Sequence, residues 1–326
     1  MQRLIFVLLL LLGAAHVVAE IAEPMEEVVA VGKQPGPKLW RITNGERELW
    51  VLGVLSPLPQ GLDWDTSAID AVIADADQMI QPPSVSMSIN PLKIAFVLPS
   101  LWGVEKNPDN KRLVDIVPSD LYERWLELKA LYIGRDRGIE RKRPMIAVNE
   151  LYQKAIQATG LTQQTGVHKA ISKAVKRNKV PVVDTGVARR LEKPRNAIKK
   201  FKRSEIEDLA CFEKTIERIE VDLAVMKQRA QAWASGDVAA LRALPYEDQN
   251  AACLAAVMES TFAEEMADQY DLIDLESRLR EKWLTAAEAA LQVNTVTFAT
   301  LPMDELLKPD GYVAALAEKG YEVRGG

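Results

Sequence analysis

Histidine and cysteine, the side chains that bind transition metals most strongly, are scarce in this sequence. Its 326 residues contain two histidines and two cysteines. His16 lies in an N-terminal apolar segment, so His168 is the only histidine in the rest of the chain, and Cys211 and Cys253 both fall in a region of predicted helices. This scarcity excludes a metal site built from clustered nitrogen and sulfur ligands.

Long apolar runs are also missing, except at the N-terminus. Arg3 precedes an unbroken apolar run over Leu4–Leu12, and small residues lead up to Ala19. This is the pattern of a secretory signal peptide, and the run is too short for a membrane span, which needs about 20 residues. We expect a signal peptide over 1–19 with cleavage after Ala19, then a flexible segment over 20–37. The expected location is periplasmic or secreted, with no transmembrane span.

A positive net charge is absent as well, since 46 acidic residues outnumber 41 basic ones. This balance gives no indication of a nucleic-acid partner. The exception is RRLEKPRNAIKKFKR at 189–203, which holds eight basic residues and one acid. Two interpretations stay open, a solvated linker that leads into a helix and a contact for an anionic envelope surface. The contact candidates are Arg189, Arg190, Lys199, Lys200, Lys202 and Arg203.

The order of apolar runs and turn residues predicts the fold class. Apolar runs at 39–43 and 48–55 flank Asn44-Gly45, a dipeptide typical of tight hairpin turns, and predict two antiparallel strands. Because strands are predicted at both ends of the chain and helices between them, the class is α/β. We predict a central mixed sheet formed from N- and C-terminal strands, with a large helical insert, about 204–292, in a domain spanning 38–326. The further predicted strands are 78–81, 180–184, 293–300 and 321–324.

One long helix is predicted from Glu205 to Ala234, where apolar residues alternate spacings of three and four over about four heptads. Such a stripe packs against a neighbouring helix of the same chain or, as the alternative, against a second copy of the chain. If the helix after Tyr246 runs back antiparallel, Cys211 and Cys253 lie roughly 30 Å apart at 1.5 Å per residue. That distance argues against a disulfide, unless the short helix near Leu241 doubles back.

Five segments point to a family when they are taken together and in order. They are LWRITNGERELWVLGVLSPLPQGL at 39–62, AIDAVIADADQMIQ at 68–81, TGVHKAISKAVKRNKVPVVDT at 165–185, AWASGD at 232–237 and KPDGYVAALAEKGYEV at 308–323. Together they resemble the TraB/GumN family over nearly the whole chain after the N-terminal segment. The resemblance implies a relation to the Tiki-type proteases, metal-dependent enzymes that trim peptide termini and whose sites use two GxxH motifs and a glutamate.

The resemblance also implies where metal ligands are expected, and this chain departs from the pattern at each position. The first GxxH corresponds to Gly53–Ser56, so that Ser56 replaces the histidine. The family glutamate after the first helix corresponds to Gln81. Counting back from Gly311 places Glu305 at the second histidine. Neutral Ser56 and Gln81 are weak ligands, whereas a hydrolytic metal needs about three good ones.

Further positions of the family pattern differ in the same direction. His168 stands where the family has an aspartate after a Gly-Val pair, and the late Arg-Asn pair lacks its asparagine near Arg278. The acid that follows the middle strand is kept as Asp184. The residues of the degenerate cleft are therefore Gly53, Ser56, Gln81, Asp184, Arg278 and Glu305.

We interpret the chain as a non-catalytic family member, a pseudoenzyme, that binds a ligand or protein partner in this cleft, with no catalytic residue assigned and no cofactor expected. One alternative is an active metal-dependent hydrolase with an oxygen-rich site for a divalent metal on Asp304, Glu305 and Asp184. Ser56 as a nucleophile with His168 as base has little support, since Ser56 precedes proline and lies outside a GxSxG motif. A second alternative is an envelope- or polyanion-associated protein that uses residues 189–203.

Overall fold

The computed structural model describes residues 32–191, 193–203, 208–244 and 274–325. The predicted signal peptide, residues 20–31 and the stretch 245–273 with Cys253 lie outside the described residues. The strands are β1 (Leu39–Asn44), β2 (Arg47–Val54), β3 (Leu58–Pro59), β4 (Gln78–Ile80), β5 (Val85–Ser88), β6 (Leu161–Thr162), β7 (Val182–Val183), β8 (Val187–Arg190), β9 (Val296–Pro302) and β10 (Glu322–Arg324). The helices are α1 (Ser67–Asp75), α2 (Pro91–Leu101), α3 (Ser119–Tyr132), α4 (Pro144–Ala158), α5 (Val167–Asn178), α6 (Pro194–Arg203), α7 (Asp208–Ser235), α8 (Val238–Ala243), α9 (Leu275–Val293), α10 (Met303–Leu307) and α11 (Tyr312–Glu318).

The main sheet joins strands from both ends of the chain. Within the described ranges it has six strands in the order β10-β1-β2-β9-β4-β7. β1 and β2 pair antiparallel across the turn at Asn44-Gly45, where Gly45 adopts a φ of 65° that glycine tolerates easily. β2, β9, β4 and β7 are parallel neighbours, whereas β10 pairs antiparallel with β1. The predicted α/β class and central mixed sheet are confirmed.

β9 lies between β2 and β4 and is buried along most of its length. Phe298, Ala299 and Leu301 belong to the core, and Thr297 and Thr300 are buried beside them. Burial of successive residues means that both faces are covered, as is usual for parallel strands. The cover comes from helices, since α1 packs against β9 while α9 packs against β1, β2 and β4.

The helix α7 has the predicted apolar stripe and packs it within the chain. α4 lies along α7, and the hydroxyl oxygen of Tyr152 is 3.8 Å from the sulfur of Met226. The seam between neighbouring helices of one chain is thus the arrangement that the structure has. The buried residues of the stripe are Phe212, Ile216, Ile219, Leu223, Met226, Ala230 and Trp233.

Cys211 is buried near the start of α7 and is disulfide-bonded. The distance argument against a disulfide is therefore wrong. After α7 the chain turns at Gly236, with φ of 70°, and α8 packs on α7 with Leu241 buried. The only other cysteine in the sequence, Cys253, lies outside the described residues.

A second layer, β5 and β8 with α2 and α6, was not predicted. β5 and β8 form a separate parallel pair that follows β4 and β7 along the chain, and α2 packs against α6. Most of the basic run is thus a strand end and a helix rather than a linker. No helix in the described ranges is both long and apolar enough to cross a bilayer.

Candidate functional site

The parallel strands of the main sheet end at one edge, and the segment after each of them carries a predicted cleft residue. Ser56 follows β2, Glu305 follows β9, Gln81 follows β4 and Asp184 follows β7. Ligand sites of α/β sheets lie outside the carboxyl ends of such strands. The structure therefore brings four of the candidates to a common edge, with β9 between β2 and β4.

Gly53, near the end of β2, allows the helix α10 to approach the sheet. A Cβ atom at this position would lie 2.5 Å from Cε of Met303 and 2.8 Å from Cδ2 of Leu306, closer than such atoms pack. The Gly53 carbonyl oxygen also accepts a 2.8 Å hydrogen bond from the indole N–H of Trp233. Gly53 thus allows α10 and Trp233 to pack closely on the end of β2.

The side chains of Ser56, Gln81 and Asp184 are exposed. The Thr185 hydroxyl donates a 2.8 Å hydrogen bond to the Gln81 carbonyl, and the Gly186 amide donates a 2.7 Å bond to Oδ1 of Asp184. The backbone at the ends of β4 and β7 is therefore fixed by local hydrogen bonds. One carboxylate oxygen of Asp184 is already used in its own turn.

Glu305 belongs to α10, directly after β9, and forms an ion pair with Lys308. The hydrogen bond to Glu305 is the main cause that raises the pKa of Lys308. Gly311 brings the next segment against this turn, since a Cβ atom there would lie 2.1 Å from the Glu305 carbonyl oxygen. Glu305 is thus held in place with a cation as its partner.

Tyr312, the first residue of α11, lies against the same turn. Burial raises the pKa of its hydroxyl to about 12, and the negative charge of Glu305 adds to the effect. Its ring packs edge-to-face on Trp283, with centroids 5.3 Å apart, and the Arg280 guanidinium lies 5.3 Å from the ring centroid. At neutral pH Tyr312 is therefore a protonated hydroxyl that is able to donate a hydrogen bond.

These elements enclose a cavity of about 920 Å³. Leu55 and Pro83, which neighbour Ser56 and Gln81 in sequence, line it together with Tyr312. The cavity wall carries charges of both signs, so that it is suited to a polar ligand with more than one kind of charged or hydrogen-bonding group. The charged residues are Arg229, Arg242, Lys308, Glu276, Asp304 and Glu305.

Arg229 is buried and lines the cavity, and it was not predicted from the sequence. Its guanidinium lies 2.7 Å from Oδ2 of Asp222, and the same carboxylate lies 3.2 Å from Arg218. A buried arginine has to be paired, so this network fixes the side chain at the cleft. A signal existed, because Arg229 lies three residues after Met226 and four residues before Trp233, which is the spacing of the apolar stripe itself.

Other predicted residues lie apart from this cavity. Arg278 and Arg189 line a second cavity of about 550 Å³ together with Lys282, whose ammonium group donates to the Gly186 carbonyl. His168 is exposed on α5. In the described part of the chain no hydrogen bond joins His168 to Ser56. Of the predicted cleft residues, Glu305 thus lines the larger cavity and Arg278 lines the second.

The residues at the common edge do not fit a hydrolytic metal ion. Among the described residues, no three His, Cys, Asp or Glu side chains are grouped so that they could hold a metal. Asp184, Asp304 and Glu305 are all among these described residues. Asp304, Glu305 and Asp184 therefore do not form the oxygen-rich set considered from the sequence.

The fold and the site together define an α/β protein with a charged cleft at the carboxyl edge of its parallel strands. The TraB/PrgY/gumN family model matches residues 38–325, which is nearly the whole chain. The chain belongs to the TraB/PrgY/gumN family, and the family resemblance seen in the sequence is confirmed. Comparison with curated proteins and with solved structures gave no match.

Proposed function

We propose that this protein is an exported, non-catalytic member of the TraB/PrgY/gumN family that binds a ligand or protein partner in its cleft. The observation that carries the proposal is the set of residues at the three adjacent strand ends. β2 leads to Ser56 and β4 leads to Gln81, which are neutral, while β9 leads to Glu305, which is paired with Lys308. The chain keeps a cleft at these strand ends, but the metal ligands that hydrolysis requires are replaced.

Metal-assisted hydrolysis needs about three protein ligands and an open position, where bound water reaches a pKa near 7. A serine hydroxyl and a carboxamide supply no charge to a divalent ion. In Glu305, the oxygen Oε1 is already used in the ion pair with Lys308, and the positive charge of Lys308 opposes a metal ion beside it. The present side chains favour binding over turnover for these reasons.

The cavity itself supports a binding role. Its volume of about 920 Å³ lies within the range of small-molecule sites, roughly 300 to 1,000 Å³. Arg229 supplies a fixed cation, and Tyr312 supplies a hydroxyl that stays protonated. A ligand with anionic and hydrogen-bond-accepting groups matches these two residues, while Glu276 and Asp304 favour a cationic group at another part of the wall.

Export is supported by two features of different kinds. The N-terminal sequence has the pattern of a signal peptide, and Cys211 is disulfide-bonded. Disulfides persist in oxidising compartments such as the bacterial periplasm and are rare in the cytosol. N-terminal sequencing of the chain isolated from cells should give Glu20 as the first residue, whereas an intact Met1 would contradict export by this route.

The decisive test combines metal content with activity. The chain is purified without a polyhistidine tag, and zinc, manganese, cobalt, magnesium and calcium are measured before and after each metal is added. We expect no tightly bound ion and no chelator-sensitive peptidase activity. About one ion per chain together with peptidase activity that is lost in Glu305→Ala would establish the alternative, an active hydrolase, and overturn the proposal.

A further inference from the structure

The helix α2 is apolar on nearly every face, yet it is mostly exposed. Its sequence is PLKIAFVLPSL, and Val97 is its buried residue. Leu92 is 83% exposed, Phe96 is 68% exposed and Trp102, directly after the helix, is 86% exposed. A helix that is apolar all round normally lies in a protein core or in a membrane. The further exposed apolar residues are Ile94, Leu98 and Leu101.

Contacts with neighbouring elements hold α2 in place. The side chain of Asn90 accepts a 3.0 Å hydrogen bond from the Leu92 amide, and Pro91 occupies the first turn, so the helix start is capped. β5, which precedes it, pairs with β8 beyond the carboxyl edge of the main sheet. α2 is therefore displayed on a paired ribbon and a packed neighbour, α6.

The neighbour α6 is basic. Arg195, Lys199 and Lys200 are exposed on it, and the described part of the helix contains no acidic residue. The ammonium group of Lys202 donates a hydrogen bond to the backbone carbonyl of Trp102. The basic helix α6 therefore contacts the end of α2 beside its most exposed neighbouring side chain, that of Trp102. Because the chain as a whole is acidic, this concentration of positive charge is local.

We propose that α2 and α6 form a docking surface for an anionic phospholipid bilayer. The apolar side chains of α2 enter the boundary between headgroups and acyl chains, and the lysines and arginines of α6 face lipid phosphates. A helix that lies in a membrane interface combines Trp, Phe and Leu on one face with Lys and Arg on the other, and here the two compositions are carried by two neighbouring helices. With 11 residues, α2 is about 16 Å long, too short to span a bilayer.

The charge of α6 distinguishes a lipid surface from a second copy of the chain. A symmetric dimer through this surface would place the same patch of each copy in contact, and the two basic helices would come together. Like charges brought together in an interface oppose association. An anionic bilayer offers acyl chains to the apolar side chains of α2 and lipid phosphates to the basic side chains of α6. The surface lies outside the cleft residues, so its role does not depend on what the cleft binds.

Sedimentation with lipid vesicles tests the proposal on the chain as isolated from cells. The wild type should bind phosphatidylcholine vesicles that contain phosphatidylglycerol, bind pure phosphatidylcholine weakly, and lose affinity as salt is raised. Leu92→Ser with Phe96→Ser, and separately Arg195→Glu with Lys199→Glu, should each weaken binding by about tenfold or more. Trp102 fluorescence should shift to shorter wavelength in the bound state.

Two matched controls make the test specific. Val221 and Val293 are 74% and 77% exposed elsewhere, so Val221→Ser with Val293→Ser should leave vesicle binding unchanged. Lys173→Glu with Lys176→Glu on α5 reverses the same number of exposed charges and should have only a small effect. Absent wild-type binding, or loss in the controls equal to that in the surface variants, overturns the proposal. So does a stable dimer that Leu92→Ser with Phe96→Ser converts to a monomer, because it assigns the surface to self-association.

Discussion

The indole N–H of Trp233 donates a 2.8 Å hydrogen bond to the carbonyl oxygen of Gly53, and the two residues are 180 positions apart. The bond joins the end of α7 to the end of β2, the strand that leads to Ser56. Trp64 packs edge-to-face on the same indole, with centroids 5.6 Å apart. Because α7 also carries Arg229, this contact fixes one wall of the cleft relative to the sheet.

Trp233→Phe is expected to lower the free energy of unfolding by about 1–3 kcal/mol, because the buried Gly53 carbonyl loses this donor. Urea unfolding followed by circular dichroism measures the change. Trp102→Phe is the matched control and should change stability by no more than about 0.5 kcal/mol, since Trp102 is exposed. Equal stability of the two variants would contradict the structural role of the bond.

Gly53→Ala is expected to destabilise the protein by about 1–3 kcal/mol, because the added methyl group overlaps Met303 and Leu306. Met303→Ala in the same chain should recover part of the loss, so that the double variant is more stable than the sum of the single changes predicts. Gly138→Ala serves as control, because the nearest atom to its Cβ is the exposed end of Asp136 at 3.2 Å. Additive losses would show that Met303 does not cause the strain.

Local signals in the sequence were sufficient to locate the long helix and the strands of the main sheet, but not to give the order of those strands. The dipeptide Asn44-Gly45 is enough to predict the tight turn between β1 and β2. The apolar stripe of α7 repeats often enough to predict both the helix and its buried side. The ribbon of β5 and β8 depends instead on pairing between Val85 and Val187, which are about a hundred residues apart. No local pattern reports that pairing, and the prolines at 82, 83, 91 and 99 suggest an irregular loop.

The part of the cleft that follows directly from the strands was predictable from the sequence, and the rest was not. Ser56, Gln81 and Glu305 each follow a strand that the sequence reveals, so their common edge follows from a parallel sheet. Arg229 and Tyr312 line the cavity only because α7 and α11 pack across that edge. The disulfide of Cys211 was not expected, because the distance came from helix length alone, and helix length does not give the direction of the chain after the helix ends.

Glu305→Gln is expected to lower the pKa of Tyr312 from about 12, because removal of a nearby negative charge makes the phenolate less unfavourable. Burial is the larger cause, so the pKa should stay above the ordinary value of about 10. Phenolate absorbance against pH, with the Tyr312→Phe curve subtracted, gives the titration of this residue.

The sign of the accompanying stability change follows from the raised pKa. Tyr312 stabilises the fold while it is protonated, so its contribution is complete below pH about 10 and is lost as the pH rises toward 12. Glu288→Gln is the control, since Glu288 pairs with Lys319 and lines another cavity. An unchanged Tyr312 titration in Glu305→Gln would mean that the two groups do not interact.

Restoring the expected ligands tests whether the three strand ends converge. Ser56→His, Gln81→Glu and Glu305→His together would supply two imidazoles and a carboxylate, a ligand set suited to zinc. Ser56 and Gln81 follow strands on either side of β9, roughly 10 Å apart, a gap that these longer side chains reach across from both sides. Replacement of Glu305 also removes the ion pair with Lys308. We expect about one zinc ion per chain in the triple variant and none in the wild type.

The partial variant Ser56→His with Gln81→Glu should hold zinc much more weakly, because Glu305 remains paired with Lys308. If the triple variant folds, as circular dichroism would show, and still binds no zinc, then Glu305 does not occupy the position of the second histidine. If it binds zinc, the cleft has kept the geometry of a metal site and lost only its ligands. Zinc binding without activity in that variant would further show that the ligand set alone does not restore hydrolysis.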